Sequence, residues 1–243
     1  MPAETRELAG SVVAITGATS GVGRAVAQLL AAAGARLALT GRREHRLQEL
    51  ADSLGPDHVT WVAGDIAEPA TSAALVRAAV ERFGRLDSIV VSAGMGAYGG
   101  ILDRSDDLLA TMLRTNIDGT VWAVRAAVPA LLSGGGDIVI IASVAGLRGD
   151  GNEAVYAATK FAQVGLAGAL DRELRTSGIR VTAMCPAAID TEFALGTGRT
   201  PGDPWLSEVL TAEDVAGAVL TVLRQPRRLR TTQWTMWAMT QGA

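Results

Sequence analysis

Cysteine occurs once in the 243 residues, at Cys185, so no internal disulfide can form and a reducing compartment is expected. Histidine occurs twice, as His45 in a charged helix start and His58 in a loop, and neither stands among partners that would hold a metal. No apolar run is long enough to span a bilayer. The N-terminal stretch from Met1 to Glu7 lacks the apolar segment of a signal peptide. A net charge of -3 offers no electrostatic basis for binding nucleic acid or an anionic membrane. The basic cluster Arg224, Arg227, Arg228 and Arg230 is local and reads as a solvated turn before the last strand. The expectation is a soluble, cytoplasmic protein that meets small molecules.

Apolar material is plentiful instead, at 49% hydrophobic against 19% charged, enough for a sheet buried on both faces in a single domain over 1–243. Strand-like and helix-like segments alternate throughout, the pattern of an α/β doubly wound parallel sheet of about seven strands. Strands are predicted at Val12 to Thr16, Arg36 to Thr40, Val59 to Ala63, Leu86 to Ser92, Ile138 to Ala142, Ile179 to Met184 and Thr232 to Met236. Helices are predicted at Gly23 to Ala33, Glu44 to Leu54, Thr71 to Phe83 and Thr211 to Leu223, the last capped by Thr211 with Asp214 three residues on. Two long helices fill Ser105 to Leu132, with Pro129 bending or ending the second. The irregular stretch 187–210 is too long for a simple connection and is expected to be a lid.

Two stretches carry chemistry. Gly17-Ala-Thr-Ser-Gly21-Val-Gly23 lies between the first strand and first helix, where glycines let backbone approach a pyrophosphate at a helix N-terminus. Later, an apolar strand ends at Ser143, and a helix opens with Tyr156 and Lys160 four residues apart on one face. A tyrosine titrates near ~10, and an ammonium beside it is expected to lower that value toward the working range. The serine hydroxyl can hold a carbonyl oxygen.

Together these motifs resemble the short-chain dehydrogenase/reductase family in its short single-domain form, over nearly the whole chain. The resemblance implies a Ser143/Tyr156/Lys160 site completed by Asn116, which supports a water relay to the lysine. It implies a pyrophosphate turn at Gly17, Gly21 and Gly23, with Thr19, Ser20 and Val22 between them. Asp65 and Ile66 would hold the adenine, Ala93 and Gly94 the close cofactor approach, and Pro186, Ile189 and Thr191 the nicotinamide side. Two positions depart from the family pattern: Val91-Ser92 replaces Asn-Asn, and Pro186-Ala187 replaces Pro-Gly.

The expected cofactor is NADP(H). Gly41 stands where NAD-using members carry an acid, and the Arg42 guanidinium suits a 2′-phosphate; Arg43 reads as the start of a solvated helix. The expected activity interconverts a carbonyl and an alcohol, with a 3-oxoacyl-thioester reductase and a non-catalytic NADP-binding sensor as alternatives. Arg148, Glu153 and Glu192 are the candidate polar contacts to a small-molecule substrate. Helices apolar on more than one face around Val121, Trp122, Phe161 and Leu166 predict a homo-oligomer, by resemblance a tetramer, for which the tail Trp234 to Met239 is a candidate second contact, with Trp234 itself expected in the core.

Overall fold

The computed structural model describes residues 5–242; Met1 to Glu4 of the polar N-terminal stretch, and Ala243, lie outside them. Seven strands form one sheet: β1 (Val12–Thr16), β2 (Arg36–Gly41), β3 (Val59–Ala63), β4 (Ser88–Val91), β5 (Gly136–Ile141), β6 (Ile179–Pro186) and β7 (Gln233–Met236). Their order is β3-β2-β1-β4-β5-β6-β7, and every pairing is parallel. The order reverses between β1 and β4, and a crevice for ligands opens at such a point beyond the carboxyl ends of the strands.

Both faces of the sheet are covered, because alternate strand residues point opposite ways and both sets are apolar. Val13, Ile15, Val90, Val139 and Ile141 face a core shared with helices α1 (Gly21–Ala32), α2 (Glu44–Leu54) and α7 (Ala212–Arg224). Val12, Ala14, Ile89, Ile138 and Ile140 face α3 (Pro69–Phe83), α5 (Gly119–Leu131) and α6 (Ala154–Leu174). The capping box at Thr211 forms as expected, its hydroxyl accepting from Asp214 N and the Asp214 carboxylate accepting from Thr211 N.

The stretch 105–132 differs from the two separate helices predicted. Helix α4 (Asp106–Leu113) runs into a π turn at Arg114–Asp118, and α5 continues directly from it. Pro129 neither ends nor breaks α5, which carries on to Leu131. Such π bulges re-aim the side chains they carry, and this one carries the buried Asn116. Strand β4 is shorter than predicted, beginning at Ser88, while β6 runs two residues further, to Pro186. Among the described residues no helix is long and apolar enough to cross a membrane.

The basic cluster is not simply solvated. Arg227 donates to Gly136 O and lies 3.5 Å from the Asp137 carboxylate, and Arg230 pairs with Asp171 at 2.6 Å. Sequence alone gave these arginines no partner, because the acids they meet lie 59 residues or more upstream.

Candidate active site

At the end of β1 the chain turns through Gly17 to Gly23 into α1. A Cβ on Gly17 would stand 2.7 Å from Ala93 Cα, and one on Gly23 would stand 2.4 Å from Gly17 O. Both distances are prohibitive, so the turn closes this tightly only with glycine. Thr16 ties the turn to the neighbouring strand, its hydroxyl accepting from Ser92 N at 3.1 Å and Ala93 N at 3.0 Å. Val91 beside it is wholly buried in the core. A cavity of about 750 Å³ opens over this turn.

Most of the candidate positions line that cavity: Gly17, Thr19, Ser20, Gly21, Val22, Arg42, Asp65, Ile66, Ala93, Gly94, Ser143, Tyr156, Lys160, Pro186, Ile189 and Thr191. Gly23 and Asn116 stand behind its wall. Asn116 pins two elements together: Oδ1 accepts from Met95 N at 2.8 Å, and Nδ2 donates to Met95 O at 2.8 Å and to Thr159 Oγ1 at 3.0 Å. It therefore fixes the loop after β4 against α6, one residue from Lys160.

Ser143 follows β5, caps a short turn by accepting from Ala145 N, and is 8% exposed. Tyr156 and Lys160 are 5% and 4% exposed on the opening turns of α6. The Lys160 ammonium donates to Ile141 O at 3.0 Å and to Gln163 Oε1 at 2.8 Å. Burial pulls its pKa down to about 7.

The tyrosine departs from expectation. Burial lifts Tyr156 well above its ordinary value, Tyr98 adds to the rise, and the Ser143 hydroxyl opposes it. Lys160 does not bring it down, because the ammonium is aimed at Ile141 and Gln163 and lies 5.7 Å from the tyrosine ring centre. Tyr156 is a neutral phenol at neutral pH.

A Cβ on Gly41 would stand 2.7 Å from Thr19 Cγ2, so no acid fits there while Thr19 keeps its place. Arg42 is exposed at the cavity wall. Arg43 is not the solvated helix start expected: it donates through Nη2 to Thr19 Oγ1 at 2.9 Å and to Ser20 Oγ at 2.6 Å. Its Nη1 meets Glu192 at 2.9 Å, and Arg46 Nη1 meets the same carboxylate at 2.8 Å. Glu192 therefore faces these arginines rather than a substrate. Backbone amides on a glycine turn, hydroxyls and two guanidiniums beside it suit a pyrophosphate and a further phosphate. The residues present fit a nicotinamide dinucleotide.

Other residues emerge only in three dimensions. Tyr98 meets Tyr156 edge-on with ring centres 5.4 Å apart, and Phe193 meets it at 5.8 Å. The Arg199 guanidinium lies within 6 Å of the rings of Tyr98, Phe193 and Trp205, and donates to Ile189 O. Stretch 187–210 closes on itself through a bridge between Ile189 and Leu210. Trp237, expected at an interface, lines the cavity under Arg148 at 5.2 Å. Glu153 also lines it, its carboxyl raised by partial burial. A tyrosine from the loop after β4 and a phenylalanine and an arginine from stretch 187–210 carry no motif, which is why the sequence did not single them out.

Fold and site together define an oxidoreductase built on a nucleotide-binding sheet. Residues 11–200 match the short chain dehydrogenase family model, and the chain belongs to that family. It is 34% identical over 230 residues to an uncharacterized oxidoreductase of Staphylococcus aureus strain MW2, covering 94% of this chain and 97% of that one. Among solved structures it is similar to the alcohol dehydrogenase of the archaeon Thermococcus sibiricus complexed with 5-hydroxy-NADP, with 27% identity, TM-score 0.87, and 96% and 98% of the two chains covered. It is also similar to the 3-ketoacyl-(acyl-carrier-protein) reductase of Brucella melitensis complexed with NADH, with 28% identity, TM-score 0.84, and coverage of 94% and 96%.

Proposed function

We propose that the protein is an NADP(H)-dependent oxidoreductase that interconverts a carbonyl and an alcohol. One observation carries the reading: Ser143, Tyr156 and Lys160 converge on the same cavity as the Gly17 to Gly23 turn. When bound, a nicotinamide supplies the hydride. Tyr156, kept protonated by burial, gives a proton to the carbonyl oxygen. The Ser143 hydroxyl orients that oxygen, and Lys160 would hold the ribose hydroxyls of the bound cofactor.

The preference for NADP(H) rests on this chain's own residues, since similar structures carry either nicotinamide cofactor. While Thr19 keeps its place Gly41 leaves no space for the acid that would bond a free ribose, and Arg42 and Arg43 face the place where a 2′-phosphate would lie. A panel of aldehydes, ketones and 3-oxoacyl thioesters with NADPH and NADH, read by loss of nicotinamide absorbance, tests the whole reading. Tyr156→Phe should abolish turnover while leaving the NADPH Kd within about twofold, because only the proton donor is removed. A wild type inert on every carbonyl, or a phenylalanine variant with unchanged kcat, overturns it.

A further inference from the structure

Of the chain's 22 basic side chains, 21 are arginine and one is lysine, Lys160. The residue that holds this lysine carries no motif. Gln163 lies three positions along α6, on the same face, and is 1% exposed. Its orientation follows from chemistry, since an ammonium only donates and a carbonyl only accepts. Its Oε1 accepts from Lys160 Nζ at 2.8 Å, and Nε2 donates to Asn116 O at 2.9 Å and Thr120 Oγ1 at 2.8 Å. The Thr120 hydroxyl donates in turn to the same Asn116 carbonyl at 2.7 Å.

Two consequences follow. The Asn116 carbonyl is engaged by two protein donors, and a carboxamide connects it to the lysine. A carboxamide keeps its N–H protons across the working pH range, so it transmits position rather than protons. The ammonium has three N–H groups; two are committed to Ile141 O and Gln163 Oε1, which leaves one for the cavity.

We propose that Gln163 is a positioning residue that holds and aims the Lys160 ammonium at the cavity. Its catalytic consequence rests on the carbonyl-reductase reading above, but its hold on Lys160 does not. A glutamine that merely fills buried space would leave Lys160 indifferent to its replacement.

Because Lys160 is the only lysine, ε-carbon-labelled lysine gives a single side-chain NMR signal, whose titration can be followed in the free protein. The titratable groups that face the ammonium are Tyr156 on α6 and Cys185 on β6. Strand β5 offers it the Ile141 carbonyl, and the π turn with the start of α5 offers only uncharged Asn116 and Thr120 behind Gln163. Removing the acceptor in Gln163→Leu should lower the Lys160 midpoint by about one pKa unit, and Gln163→Glu should raise it by at least as much. On a good substrate Gln163→Leu should lose about tenfold or more in kcat, with the NADPH Kd unchanged within about twofold. Should Gln163→Leu fail to fold, the direction of the Gln163→Glu shift decides alone. Folded variants that titrate like wild type overturn the proposal. A wild type that reduces no carbonyl defeats the functional reading and leaves the NMR result to judge Gln163.

Discussion

Tyr156 and Lys160 share one buried wall, and burial acts on them oppositely: it keeps the phenol protonated and makes the ammonium costly. The lysine's part is measurable as stability. Free lysine holds its proton to 10.5, whereas Lys160 in the folded protein releases it at about 7. Between those values the unfolded chain binds more protons, so stability rises with pH across that window. Below pH 7 the penalty is complete, and above 10.5 it is gone. Lys160→Met removes the titration, so its unfolding free energy relative to wild type should be greatest near pH 6 and decline by a few kcal/mol toward pH 10. Parallel urea-unfolding curves for the two proteins across that range would show that Lys160 is unperturbed.

At the scale of elements, the end of β2 shows what a sequence can and cannot tell. Seven strands were legible because each is an apolar run bounded by turn residues, and parallel burial leaves no polar face to confuse the reading. The glycine turn and the Ser143, Tyr156 and Lys160 stretch were legible because their spacing maps directly onto a strand, a turn or one helix face. Which of two adjacent arginines turns inward was not, since that depends on how α2 leaves the strand. Thr19 and Ser20 are the hydroxyls that Arg43 reaches, and their distance from it appears only once β1 and β2 are paired. Tyr98 and Arg199 were equally hidden, because they meet across a hundred residues of chain. A charge-assisted contact is worth ~1.5–3 kcal/mol. Arg43→Ala should therefore weaken NADPH by roughly ten- to a hundredfold and Arg42→Ala by less, with NADH nearly unchanged in both. Calorimetric Kd values for the two cofactors check this; equal losses for both would remove the arginines from phosphate recognition.

Across the whole molecule, a buried knot of ion pairs sits at the end of the sheet away from the cavity. Asp137, 2% exposed, accepts from Arg180 at 2.6 Å and Arg6 at 3.1 Å, with Arg227 at 3.5 Å. The knot joins the N-terminal segment, β5, β6 and the turn before β7. Asp137→Asn leaves the buried Arg180 without its counter-charge and should cost about 3–5 kcal/mol, visible as a lower urea midpoint. The outer face of α6 offers the opposite surface. Phe161 is 47% exposed there, and Leu132, just past α5, is 51% exposed. Apolar groups so placed favour self-association, and a homo-oligomer, a tetramer by family resemblance, is expected by light scattering at micromolar concentration; a monomer would count against it. The solitary lysine has one more use. Its ε-amine is 4% exposed and reached only through the cavity, so an amine-reactive dye too bulky for the cavity will mark Lys160, as distinct from the α-amine, only when the interior opens. The rate at which that one position takes up label is then a clock for how often this molecule breathes.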